Sequence, residues 1–286
     1  MPKTSSPLVS IGLPVFNEGR FLRQSLEALI HQNYPSIEII ISDNASTDET
    51  EQICLEYASK YDWINYHRFD KNQGSSKNFN YVLQTATGKY FMWAAGHDLW
   101  ANNYLAACVE ILESHPKAII AYGSSQWIDE HNENFGREYG WVDTRGMDVI
   151  ARYFTIFWGN MHPILGVIRK EMLSEYTLTS TVGVDLIILS HLILNGDFIH
   201  AVGTSWSRRE FRVENSHKDK IKRYQSESYG LATSILDKIF PLIRLPLELS
   251  KAVIQSKQPL LVRLLLLLLL LPSFPIRYIS GKRNKT

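Results

Sequence analysis

Cysteine is scarce in this chain, with only Cys54 and Cys108 among 286 residues. Two cysteines without metal-ligand spacing exclude a disulfide framework and a zinc site, and predict two buried thiols in a reducing compartment. Net charge is nearly absent as well. Thirty basic residues stand against 29 acidic ones, a formal +1, which argues against a surface that binds nucleic acid throughout. The N-terminal MPKTSSPLVS has no apolar run, so no secretion signal is expected there. Acid is missing from one region altogether. After Glu248 there is none, while Lys251, Lys257, Arg263, Arg277, Lys282, Arg283 and Lys285 are basic. Residues 1–248 then hold 23 basic and 29 acidic side chains, a net of −6. The basic tail surrounds eight consecutive leucines, Leu264 to Leu271, a combination that points to a membrane surface.

What is present is 45% hydrophobic and 21% charged, the composition of an ordinary globular protein. The first 122 residues alternate strand and helix patterns. An apolar run from Leu8 to Leu13 is expected to stop at Pro14, and a helix follows with Leu22, Leu26, Leu29 and Ile30 on one face. Ile37–Ser42 is a strand apolar enough to be buried on both faces. Ser46 and Glu49 are spaced as a capping box for the next helix. Further strands are predicted at Ile64–Arg68, Tyr90–Ala95 and Ala118–Tyr122, with helices between them. This alternation predicts right-handed crossovers and a Rossmann-like, mostly parallel sheet with helices on both faces. From Gly123 to about Gly159 the pattern turns polar and aromatic, and a long functional loop is expected. A strand at Ile164–Ile168, a helix at about Asp185–Asn195 and a strand at Phe198–Val202 follow.

In an open parallel sheet, ligands bind beyond the carboxyl ends of the strands. Polar clusters sit at three such ends: Asn17-Glu18, Asp43 and His97-Asp98. Both G-x-G-x-x-G after the first strand and the P-loop pattern are missing, so a bound nucleotide must be gripped by side chains, with a metal on its phosphates.

The ordered set PVFNE, DNASTDET, Asn72-Gln73-Gly74 and the acid-bearing Ala95-Gly96-His97-Asp98 resembles the nucleotide-sugar domain of family 2 glycosyltransferases, with the GT-A fold. The likeness is close over residues 7–125 and looser to about 205. It implies a nucleotide-sugar-binding half at 1–125 and an acceptor-binding and catalytic half at 126–223; the last 80 residues or so carry no family motif, and their composition makes 224–286 a helical, membrane-associating extension. The resemblance places Pro14, Asn17 and Glu18 at the base and ribose, and Asn72 and Gly74 beside the nucleotide. It has Asp43 accepting the imide N–H of uracil or thymine, which cytosine lacks. Asp98 would ligate Mn²⁺ or Mg²⁺. His97 stands where the family often has a second acid; ligand, diphosphate donor and bystander are open readings. Asp185 matches the general base, and the residue pattern alone would also make it a helix N-cap. Trp158 and His162 could face the acceptor or fill the core. Trp206, Arg208, Arg209 and Arg212 could reach an anionic acceptor or the diphosphate, and a solvated charge run is the plainer reading.

The function implied is inverting transfer of a sugar from a UDP- or dTDP-sugar to a hydroxyl of a surface-glycan or lipid-linked acceptor. A non-catalytic nucleotide-sugar-binding relative is the alternative, and an oligomer is compatible with either. The expected location is cytoplasmic and peripheral on the inner membrane face. Between Arg263 and Arg277 lie 13 uncharged residues, about 20 Å of helix against a ~30 Å hydrocarbon core, with Pro272 and Pro275 expected to break it. An interfacial anchor fits that length; a helix packed on the domain competes with it.

Overall fold

The computed structural model describes residues 6–136, 142–174, 178, 183–210 and 244–283. Strands β1 (Val9–Val15), β2 (Ile37–Asp43), β3 (Ile64–Arg68) and β4 (Tyr90–Trp93) alternate with helices α1 (Gly19–Ile30), α2 (Thr50–Lys60) and α3 (Ser75–Thr85). The short β5 (Leu99–Trp100), helix α4 (Tyr104–Ser114) and β6 (Ala118–Ile128) follow. Then come α5 (Val149–Trp158), β7 (Val167–Arg169), α6 (Val184–Ile193), β8 (Asp197–Arg209), α7 (Arg244–Gln255) and α8 (Leu260–Arg283). The sheet order is β3-β2-β1-β4-β7-β6-β8-β5. β3, β2, β1 and β4 are mutually parallel, β7 is antiparallel to both neighbours, and β6 pairs parallel with β8. The expected α/β sheet is there, with its layers on both faces. One core packs α1, α2 and α4 through Leu22, Leu26, Cys54 and Leu105, and the opposite core packs α3, α5 and α6 through Val82, Phe157 and Leu189. Cys54 and Cys108 are buried free thiols whose pKa values burial pushes up.

Four local expectations are corrected. Pro14 does not end β1; it pairs with Ser42, and the ladder to β4 already stops at Gly12–Trp93, so its missing N–H costs no bond on that side. Helix α2 starts only at Thr50, without a side-chain cap from Glu49, because Ser46 is committed to the neighbouring loop. The stretch after Gly123 is not all loop. β6 runs on to Ile128 against β8, and Asp148 caps α5 by accepting from Ile150 N and Ala151 N. Ser124-Ser125-Gln126 lacks the apolar signal of a strand, and its partner strand supplies the reason to extend. Finally, α8 continues through Pro272 and Pro275, held along α5 and α7 by Leu266, Leu270 and partly buried Phe274.

Candidate functional site

At the carboxyl edge of the parallel strands the three loops are stitched together. Asn17 N donates to Ser46 Oγ at 2.9 Å, and Thr47 N donates back to Asn17 Oδ1 at 2.8 Å. Glu18 N donates to Thr50 Oγ1 at 2.9 Å and Gly19 N to Asp48 Oδ2 at 3.0 Å. Asn44 Nδ2 donates to Asn72 Oδ1 at 2.8 Å, and Asn72 Oδ1 also receives Gly74 N at 2.8 Å. Asn17 and Ala45 take left-handed conformations, with φ of 54° and 61°. Strain of this kind persists only where surrounding contacts hold it, and it gathers at working sites. Gly74 opens α3 with φ of 81°, a value glycine adopts freely.

Asp43 is completely buried beneath this edge. Ser46 N donates to its Oδ1 at 2.8 Å, Tyr66 Oη to its Oδ2 at 3.1 Å, and Arg68 Nε lies 3.5 Å from Oδ2. Burial, then the Asp43 charge, push the Tyr66 phenol well up. A carboxylate has about four lone-pair sites, so these donors leave it some acceptor capacity. Pro14 is buried inside β1, Asn17 is exposed, and Glu18 and Asn72 are half-buried.

After β4, His97 bridges two carboxylates. Its Nδ1 lies 2.9 Å from Glu18 Oε2, and its Nε2 lies 3.8 Å from Asp98 Oδ1. Asp98 is buried; burial raises its pKa, against the pull of His97, the Arg209 N–H and Arg208. No group of three or more His, Cys, Asp or Glu side chains gathers into a metal cage among the described residues. One carboxylate and one imidazole suit a hard divalent ion that shares its remaining positions with phosphate oxygens.

At the end of β8 the solvated charge run holds for exposed Arg208 but not for Trp206 or Arg209, which are buried. Arg209 is buried, with its backbone N on Asp98 Oδ1 at 3.0 Å and its Nε on the His97 carbonyl at 2.9 Å. Its other nitrogens donate to Asp129 O, Gln24 Oε1 and Asn132 Oδ1, and its guanidinium stacks 4.3 Å over Phe21. Burial lowers its pKa, with Asp98 and Asp129 opposing. Arg209 is therefore the staple that fixes the His97-Asp98 turn. Arg208, its neighbour, is exposed and lies 4.6 Å over the Trp127 ring. Arg212 falls outside the described residues.

Asp185 sits in the first turn of α6, which Gly183 rather than Asp185 caps. It keeps solvent access, yet the atoms crowded around it raise its pKa, with Arg208 pulling the other way. The same Arg208 charge lowers Asp98 and His162. His162 Nδ1 hydrogen-bonds Ser125 Oγ and its ring meets Trp206 edge-on at 5.8 Å; burial, then Arg208, hold its pKa down at about 4. Trp158 is not core but 43% exposed. Ser125 and Trp127 were missed by sequence reasoning; the β6–β8 register, Ser125–Trp206 and Trp127–Arg208, is the signal that gathers them with Arg208.

A mostly parallel sheet carrying acids and amides at its carboxyl edge, without a glycine-rich phosphate loop, belongs to the GT-A class of folds. The model of the family "Glycosyl transferase family 2" matches residues 10–177, and the chain belongs to that family. An uncharacterized glycosyltransferase of Rickettsia typhi is 33% identical over 132 residues, covering 46% of this chain and 40% of that protein. The putative glycosyltransferase EpsE of Bacillus subtilis is 36% identical over 112 residues, covering 39% of this chain and 40% of that protein. The chain thus spans about two fifths of the length of these relatives. Among solved structures, S. aureus TarS 1-349 in complex with UDP-GlcNAc superposes with a TM-score of 0.69 at 15% identity, over 97% of this chain and 74% of that one. The Pyrobaculum calidifontis mannosyltransferase PcManGT, with GDP-Man and Mn²⁺, gives a TM-score of 0.55 at 20% identity, over 87% and 74%.

Proposed function

We propose that this protein is an inverting glycosyltransferase that moves a sugar from a UDP- or dTDP-sugar to a hydroxyl of a surface-glycan or lipid-linked acceptor. One observation carries the reading: hydrogen bonds between loops gather Asn17, Glu18, Asp43, Asn72 and the His97-Asp98 turn at the carboxyl edge of the parallel strands. Asp185, in the first turn of α6, adds an acid for the acceptor side. Asn17, Glu18, Asn72 and Gly74 would form the nucleotide cradle, with Asp43 accepting the imide N–H of the base. The TarS complexes with UDP and UDP-GlcNAc support a uridine donor.

Asp98, with His97, would hold a Mn²⁺ or Mg²⁺ ion, which when bound neutralises charge on the donor diphosphate. Arg208 adds a fixed positive charge on the same side. Asp185 takes the acceptor hydroxyl's proton. Its raised pKa makes it a stronger base than an ordinary carboxylate, and the Arg208 charge works against that rise. The location that fits is the inner face of a membrane, peripheral, through the apolar C-terminal helix; residues Leu260–Arg277 are long and apolar enough to cross a bilayer by length and composition, with mean hydropathy 2.0.

The test is a thermal-shift screen of UDP-, dTDP-, GDP- and CDP-sugars with and without Mn²⁺, followed by donor hydrolysis. Stabilisation by the uridine or thymidine series, with diphosphate release, is expected. A response to none of them rejects the assignment.

A further inference from the structure

Helix α8 is built the wrong way round for water. Leu266, Leu270 and Arg277 fall on one face at 100° per residue, and the first two are buried against the domain. Arg277 reaches the Gly159 carbonyl at 3.3 Å and lies 5.3 Å over the Phe157 ring. Arg263 donates to the Ile254 carbonyl at 2.8 Å. Both cations between 260 and 277 are thus spent on the protein. The opposite face carries Leu261, Leu264, Leu265, Leu268, Leu271 and Ile276, and every exposed residue from 260 to 276 is leucine, isoleucine or proline. A water-facing helix shows the reverse pattern, with its charges outward and its leucines inward. Nearby on α7, Leu247 and Ile254 are also exposed, with Lys251 between them on the same face.

The docked face excludes a simple crossing. From Leu266 to Arg277 the helix lies along folded protein for about 16 Å, and a polar domain cannot accompany it into hydrocarbon. We propose that α8 lies in the plane of an anionic bilayer leaflet, with its Leu261–Ile276 face immersed and its Leu266–Arg277 face fixed to the domain. This deepens the peripheral-membrane part of the proposed function and rests on that part, not on the transfer chemistry.

The charges choose lipid over a second copy of the chain. Lys251 and Lys257 are exposed beside the leucine face, and Lys282, Arg283 and Lys285 follow in sequence, with no acid after Glu248. Two copies meeting through this face would bring like charges together, whereas anionic headgroups attract them. Because the helix is held on α5 and α7, the bilayer plane has a fixed orientation to the sheet.

The experiment uses the full chain and two vesicle sets, phosphatidylcholine alone and phosphatidylcholine with phosphatidylglycerol. Single-cysteine variants at Leu261, Leu265, Leu268 and Ile276, in a background where the buried Cys54 and Cys108 stay unlabelled, carry an environment-sensitive fluorophore quenched by lipids labelled at known depths. An in-plane helix predicts one shallow depth at all four positions, only with the anionic vesicles. Leu264→Glu and Leu268→Glu should each weaken vesicle binding on the order of tenfold, the scale of one leucine lost from lipid. Both should leave UDP affinity unchanged. Depths that step across the bilayer, vesicle binding untouched by both substitutions, or a dimer that buries this face would each overturn the proposal. Failure of the parent protein to bind any nucleotide sugar would instead reject the transfer reading and leave the membrane geometry standing.

Discussion

The two ends of the parallel strands use the same residue types in opposite ways. At the amino end, Glu38 Oε1 receives Ser10 Oγ at 2.5 Å, Thr87 N at 2.7 Å and Thr87 Oγ1 at 2.8 Å, while Gly88 N donates to Ser10 Oγ at 2.8 Å. Burial acts to raise the Glu38 carboxyl, but these donors together hold it below the ordinary range. At the carboxyl end burial raises the pKa of Asp98, and the atoms crowded around solvent-accessible Asp185 raise its own. Among the described residues Asp185 has no hydrogen-bonding donor. Glu38 at the amino end spends its charge on closing loops, as Asp43 and Asp48 do at the carboxyl end, whereas Asp185 takes no such donor. That contrast is what singles out Asp185 as the base in the proposed function.

The largest effect should come from removing the acid that does least for the fold. Asp185→Asn keeps the shape and removes the proton acceptor of the proposed function. Transfer should slow by roughly 10²–10⁴-fold, the range for a general base, with donor affinity unchanged. Single-turnover kinetics beside a UDP-binding titration check both halves. A parent-like rate would move the base elsewhere.

Next comes the staple that holds the working edge in place. Arg209→Met deletes a buried guanidinium whose nitrogens bond three other segments and which stacks over the Phe21 ring. A loss of about 3–5 kcal/mol in unfolding free energy is expected, because buried acceptors and Asp98 are left without their cation. Urea unfolding measures it. Arg209→Lys should recover part of the stability, since one ammonium cannot span all those acceptors. If Arg209→Met unfolds like the parent, the network is not a support.

A smaller change tests whether Asp43 does both jobs. Its carboxylate ties Ser46 and Tyr66 and has acceptor capacity left for a base. Asp43→Asn retains a carbonyl for Ser46 N but loses the charge. UDP binding should weaken by roughly 1–3 kcal/mol, as for a hydrogen bond to a charged group, and preference over CDP should shrink. Calorimetric titration with both nucleotides decides it. Equal losses for UDP and CDP would mean that Asp43 only shapes the loop.

Much of this was legible in the sequence because burial patterns are periodic. Leu22, Leu26 and Leu29 announced the buried stripe of α1, and all three are fully buried. The strand ends carrying Asn17, Asp43 and Asp98 followed from alternation alone. The failures share a cause, since each is a long-range contact that no local spacing encodes. Ser46 looked like a cap for α2 but serves Asn17, 29 residues away. Arg209 looked like a surface charge, yet its partners Gln24, His97, Asp129 and Asn132 come from three other segments. Pro272 and Pro275 looked like breaks, but α8 leans on α5 and α7 and continues past them.

The smallest expected effect is a pair of opposite pH slopes. Glu38 has a depressed folded pKa, so it contributes stability above the unfolded carboxylate pKa and loses it as pH falls through the folded value. Asp185 has a raised folded pKa, so the unfolded chain ionises first. Its presence then removes stability as pH climbs from the ordinary carboxylate range toward the folded value. Glu38→Gln should accordingly lower the melting temperature at neutral pH and leave it closer to the parent's in acid. Asp185→Asn should raise the melting temperature slightly at neutral pH and do nothing in acid, where the parent carboxyl is already protonated. Melting curves of the three proteins from acid to neutral pH read out both slopes. The comparison fails if the two substitutions shift stability in the same direction, because the two carboxylates would then be doing the same kind of work. If they diverge, the stability lost to Asp185 is the cost of keeping a base exposed and unpaired beside Arg208.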